Sequence, residues 1–134
     1  MTTGEGPTLY EAVGGRPAFH ALVDAFYRRV EEEPLLRALY PEDLSGPRAR
    51  LAAFLVQYFG GPPDYALLRG EPRLRLRHVE FSIDTPARDA WVAAMADAVA
   101  EVGFAPEVAG ELMGYFAATA TFLVNRGGLA ITGG

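Results

Sequence analysis

Apolar residues recur by threes and fours along most of this chain. Phe19, Leu22, Val23, Phe26, Tyr27 and Val30 share one face of a helix that Pro17 opens and Glu33-Pro34 closes. Ahead of it, Thr8-Leu-Tyr-Glu11 has the capping-box form of a short helix ended by Gly14-Gly15. Behind it, residues 34–39 have room for a helical turn or two before Pro41 cuts them off. Ser45 or Gly46 then caps a helix with Pro47 in its first turn and Leu51, Phe54, Leu55 and Tyr58 on its apolar side. Gly60-Gly61-Pro62-Pro63 is the strongest break in the chain, followed by one helical turn over residues 64–68. Thr85-Pro86 starts a helix whose face is Trp91, Ala94, Met95, Ala98, Val99 and Val102, and Gly103 ends it. Pro106 opens the last long helix, with a stripe of Val108, Leu112, Tyr115, Phe116, Thr119, Phe122 and Leu123 and a close at Gly127-Gly128.

One stretch breaks this period. Arg73-Leu-Arg-Leu-Arg77 alternates as a strand does, yet no second strand exists for it to pair with. A lone strand is not stable, so a short helix after Pro72 is the better expectation. The pattern therefore predicts an all-α chain: a single domain over residues 1–134, with residues 1–7 and 129–134 as loose ends. No internal repeat or linker interrupts it.

Composition narrows the chemistry. With no cysteine in its 134 residues, the chain has no disulfides, thiolate-held clusters, cysteine-type zinc sites or cysteine nucleophiles. That fits a reducing cytoplasm, as does a start without a basic and then apolar leader. A formal charge of −5 argues against broad binding to nucleic acid or anionic membranes. No apolar run approaches the roughly 18–20 residues that a membrane span needs.

Two histidines remain as candidate metal ligands. His20 lies in the second helix, next to Phe19, and reads as a partly exposed helix residue rather than a ligand. His78 stands in the mixed stretch of residues 69–81, R-G-E-P-R-L-R-L-R-H-V-E-F. Leu74, Leu76, Val79 and Phe81 there suit the face of a flat apolar cofactor, and Arg73, Arg75 and Arg77 suit carboxylates. A haem offers an apolar ring and two propionates, and its iron takes imidazole as proximal ligand in globins. Each residue also has a plainer reading: a surface histidine, a solvated row of arginines, a core tyrosine at position 27, a packing anchor at Trp91.

The joint order of motifs decides between these readings. Leu9-Tyr10-Glu-Ala-Val-Gly-Gly15, Phe26-Tyr27, Tyr40-Pro-Glu-Asp43, Gln57-Tyr-Phe-Gly-Gly-Pro62, Arg69-Gly, Pro72-Arg-Leu-Arg-Leu-Arg-His78 and Arg88-Asp-Ala-Trp91 run in sequence over residues 9–125. In that order they resemble the truncated haemoglobins, and specifically group II. The resemblance implies a two-over-two helical sandwich around haem b, with His78 as proximal iron ligand. It implies a distal pocket of Tyr27, Tyr40 and Trp91, the tyrosine at the corner and the tryptophan on the later helix being the group II signature. It further implies that Leu51, Phe54 and Met95 touch the haem and that Arg50, Tyr58 and Arg77 are candidates for its propionates. The chain departs from the family pattern in a turn one residue shorter after Tyr40, in Pro47 where a small residue is usual, and in Phe59 where a tryptophan is frequent.

Two functions follow from the resemblance. The first is reversible binding of oxygen, nitric oxide, carbon monoxide or anionic ligands. The second is a redox reaction at the same haem, nitric-oxide dioxygenation or a peroxidase-like turnover. No flavin or nicotinamide domain is present in the sequence, so a reductase would have to be a separate protein.

Overall fold

The computed structural model describes residues 7–69 and 84–133, with side chains through Leu68, from Asp84 to Phe122, and of Val124. Seven helices occur among the described residues: α1 (Leu9–Ala12), α2 (Arg16–Glu32), α3 (Pro34–Arg37), α4 (Ser45–Tyr58), α5 (Asp64–Arg69), α6 (Thr85–Val102) and α7 (Pro106–Gly133). No strand occurs among those residues. The alternating Arg73–Arg77 stretch and the short helix expected after Pro72 lie outside them.

Local chemistry sets most helix ends where the sequence pattern puts them. Thr8 and Glu11 form the reciprocal capping box of α1. Asp84 caps α6 by accepting from the Ala87 amide at 2.9 Å, and Gly103 ends that helix in the left-handed conformation. Two ends differ from expectation. The cap of α4 is Leu44, one or two residues earlier than Ser45 or Gly46. The carboxylate of Asp43 binds both the Ser45 amide and its hydroxyl, at 3.0 and 2.8 Å, and so anchors the approach to the helix. Helix α7 runs through Gly127-Gly128 to Gly133, across the loose end expected at 129–134. Each glycine inside a helix costs only about 1 kcal/mol, and no proline follows to stop it.

Packing follows from the faces. All six apolar residues read on α2 are buried, as are Trp91, Ala94, Met95, Ala98 and Val99 of α6. Alanines on α6 let it lie close against both α2 and α7, while α4 packs across α2. Fully burying a side chain such as Phe26 or Leu55 contributes roughly 1.5–3 kcal/mol. The stripe on α7 is borne out at Leu112 and Phe116, which are buried, whereas Phe122 is half exposed.

The break at residues 60–63 has a specific role. Gly60 has φ of 101°, and a Cβ there would come within 2.5 Å of Thr8. Glycine lets the end of α4 pass under the N-terminal segment, where the Tyr10 amide donates to the Phe59 carbonyl at 2.9 Å. Beyond the break, Arg16 forks onto Asp64 at 2.7 and 2.8 Å, and the Gln57 side chain accepts from the Ala66 amide at 2.9 Å. These bonds hold α5 against the ends of α2 and α4.

Candidate functional site

Three elements bring Tyr27, Tyr40 and Trp91 together. Tyr27 comes from the core face of α2 and is 2% exposed. Trp91 comes from the first half of α6 and is 8% exposed. Tyr40 stands in the turn after α3, where backbone freedom has to be removed by other means. Arg37 does this by donating to the carbonyls of Pro41 and Glu42 at 2.9 and 2.7 Å.

The contacts are specific. Tyr27 and Tyr40 meet edge to face with ring centroids 5.5 Å apart. The Tyr27 hydroxyl and the Trp91 indole N–H both act on the Tyr40 hydroxyl at hydrogen-bonding range. Indole is a donor only, so its direction in this bond is fixed. Phe26 and Phe116 hold the indole between them, each edge to face, at 5.3 and 5.8 Å.

Burial makes this a cluster of neutral donors. It pushes the Tyr27 phenol far above its ordinary range, helped by the neighbouring Tyr40 and opposed by the charges of Arg50 and Arg48. Burial also raises Tyr40; the interactions with Trp91 and Tyr27 pull the other way. Both phenols therefore keep their protons at neutral pH.

Helix α4 presents a second apolar face. Leu51 and Phe54 are half buried, and Tyr58 is 56% exposed. Phe54 stacks on Tyr58 at 5.8 Å and meets Tyr65 of α5 edge to face at 5.6 Å. Next along, Leu67 of α5 is 77% exposed. Met95 lies one turn beyond Trp91 and is fully buried. Arg50 is half buried, with its guanidinium laid back over Gly46 of the same helix. His20 is exposed. His78, Arg77 and Phe81 lie outside the described residues.

This arrangement fits a flat apolar group with a small polar ligand on one face: a strip of apolar side chains beside three convergent hydroxyl and indole groups. Sequence reasoning had no signal for the brace of Phe26 and Phe116 around Trp91, because both rings were already accounted for as core. It had a weak signal for Arg37, a basic residue in a last helical turn just before a proline corner.

The bacterial-like globin family matches residues 8–125 of this chain. The chain belongs to that family. A group 2 truncated haemoglobin of Bacillus subtilis is 42% identical over 117 residues, covering 87% of this chain and 88% of that protein. The solved haemoglobin of the thermophilic phototroph Chloroflexus aurantiacus superposes with a TM-score of 0.83 at 44% identity, covering 90% of this chain and all of that one. A truncated oxygen-avid haemoglobin from Bacillus subtilis superposes at 0.80 with 41% identity, covering 88% and 97%. The group II resemblance of the motifs is thus borne out, and with it the two-over-two helical globin fold. Globins of this family bind haem and, through it, small gaseous ligands. No helix among the described residues is long and apolar enough to cross a membrane.

Proposed function

We propose that this globin holds haem b against the Leu51–Phe54–Tyr58 face of α4, with His78 as proximal ligand, and binds oxygen and other small diatomic or anionic ligands under Tyr27, Tyr40 and Trp91. The observation that carries this reading is the meeting of the Tyr27, Tyr40 and Trp91 side chains around the Tyr40 hydroxyl. Leu51, Phe54, Phe81 and Met95 would line the ring, and Arg50, Tyr58 and Arg77 would serve its propionates.

Ferrous haem, when bound, supplies an iron that takes up diatomic gases and passes electron density to them. What the chain supplies is donors for that density. The indole of Trp91 can only give its hydrogen toward Tyr40, and accepting that bond makes the Tyr40 hydroxyl a stronger donor in its turn. A ligand that gains negative charge beside Tyr40 receives from its hydroxyl a charge-assisted bond, roughly twice as strong as a neutral one. Phe26 and Phe116 keep the indole from rotating away and exclude water that would compete. The same donors suit the reduction of a bound oxygen or peroxide, which favours a redox reaction as the second reading, with electrons from a separate reductase. The oxygen-avid character of the Bacillus subtilis haemoglobin favours the first.

Stopped-flow dissociation of oxygen and carbon monoxide from wild type and Trp91→Phe tests the proposal. If the indole N–H turns from Tyr40 to the bound oxygen, loss of that bond of about 1.5–3 kcal/mol should speed oxygen release about tenfold to a hundredfold. Carbon monoxide carries little charge on its outer atom and should change much less. Equal acceleration of both gases would reduce Trp91 to a packing residue.

A further inference from the structure

Arg48 has a charge that neither the fold nor the proposed haem contacts use. It stands in the first turn of α4, three residues before Leu51. Its partner is Asp24 of α2, three residues before Tyr27, with a guanidinium nitrogen 3.9 Å from the carboxylate. The pair thus links α2 and α4 one helical turn ahead of two residues of the proposed site. Its side chains are 44% and 58% exposed, and 3.9 Å is beyond hydrogen-bond length. An exposed pair this loose contributes little to stability.

The helix gives no local reason for the charge either. Its first turn holds no acidic residue, and a cation there opposes the positive end of the helix dipole. Asp43, the carboxylate just ahead, is committed to the Ser45 amide and hydroxyl. Arg50 lies back over Gly46 at the same end of the helix. Two guanidinium groups therefore share this rim with Asp24, and the charges of both bear on the Tyr27 phenol inside. A propionate would draw Arg50 to itself, which leaves Arg48 at the rim.

We propose that Arg48 is a specificity-determining residue for ligand entry, turning from Asp24 to draw small monovalent anions into the gas pocket. The inference rests on haem being held there, and names a ligand class for that same site. An anion entering an apolar pocket must shed water, and a guanidinium fork offers charge-assisted hydrogen bonds in its place. Arg48 gives up only a long contact when it turns. A neutral ligand gains nothing from the charge. Past the rim, the Tyr40 hydroxyl is the next donor that an anion meets.

The test is rapid mixing of sodium azide with the ferric, haem-loaded protein at neutral pH over a range of ionic strength. Hydrogen cyanide, uncharged at that pH, is the matched ligand for the same iron. Azide association should slow as salt rises, and cyanide association should change much less. Arg48→Gln should slow azide at low salt by about twofold to fivefold, the scale of one exposed charge pair, and flatten its salt dependence. Arg48→Lys should keep most of the wild-type rate. Asp24→Asn frees the guanidinium and should speed azide entry. An azide rate unchanged in Arg48→Gln, equal slowing of azide and cyanide, or slower azide entry in Asp24→Asn would overturn the role of Arg48 and leave the haem reading standing. A chain that takes up no haem would overturn both.

Discussion

Helix α4 has two apolar faces with opposite fates. Ala52, Leu55, Val56 and Phe59 are buried against the rest of the protein. Leu51, Phe54 and Tyr58, one residue round the helix, are only half buried or exposed. An amphipathic surface helix has one apolar stripe, and a helix apolar on more sides is normally covered on all of them. The first face is explained by folding alone. On the proposed reading the second is where haem lies, with the cluster of Tyr27, Tyr40 and Trp91 on the ring's far side. On that reading core and site are separate demands on one fourteen-residue helix and its C-cap, Phe59.

The sharpest way to break the comparison is to remove the partner's anchor. His78→Ala should cost most of the bound haem after gel filtration, seen as loss of the Soret band, whereas His20→Ala should keep it. Retention in the first variant and loss in the second would reverse the assignment.

Neighbouring positions on α4 should then separate. Leu55→Ala removes a fully buried side chain and should cost about 2–5 kcal/mol of unfolding free energy with or without haem. Phe54→Ala should weaken haem binding by roughly tenfold to a hundredfold, about 1.4–2.8 kcal/mol, and change apo-protein stability far less. Urea melts of both forms check this, and equal effects of the two substitutions would merge the faces into one core.

The distal side makes a prediction in pH. A phenol whose pKa is raised on folding holds its proton more tightly in the native state. Its stabilising contribution is complete below the unfolded value near 10 and is lost as pH rises above it. Wild type should therefore lose stability above about pH 10 more steeply than Tyr27→Phe, which lacks the buried phenol. Parallel alkaline melting curves would mean that the Tyr27 hydroxyl is not held in a protein environment.

The smallest expected effect is at Arg77. If it pairs with a propionate, Arg77→Ala should speed haem loss to an apo-globin acceptor modestly, and more at low salt, where screening is weaker. A loss rate independent of salt would return the arginine row to the solvated surface.

Most of the fold was legible in the spacing of apolar residues, because α2, α6 and the first part of α7 each bury one stripe and are bounded by proline, glycine or a capping side chain. The end of α7 was not, because glycine weakens a helix without forbidding it. The cap of α4 was missed because an aspartate two residues upstream competes with serine for the same role. At the site, Tyr27, Tyr40 and Trp91 were named from motif order, and the structure brings all three into one hydrogen-bonded cluster. Their mutual bonds, the Phe26–Phe116 brace and the Arg37 clamp depend on tertiary placement that no local pattern encodes.

Trp91 is the single tryptophan of the chain, which makes it a reporter for the central claim. Titrating haem into the apo-protein while following tryptophan emission and the Soret band together measures directly whether haem seats beneath the donor cluster. The account predicts that emission is quenched in step with growth of a bound-haem Soret band, both breaking at one haem per chain. A Soret band that grows while Trp91 emission stays unchanged would place the haem elsewhere and contradict it.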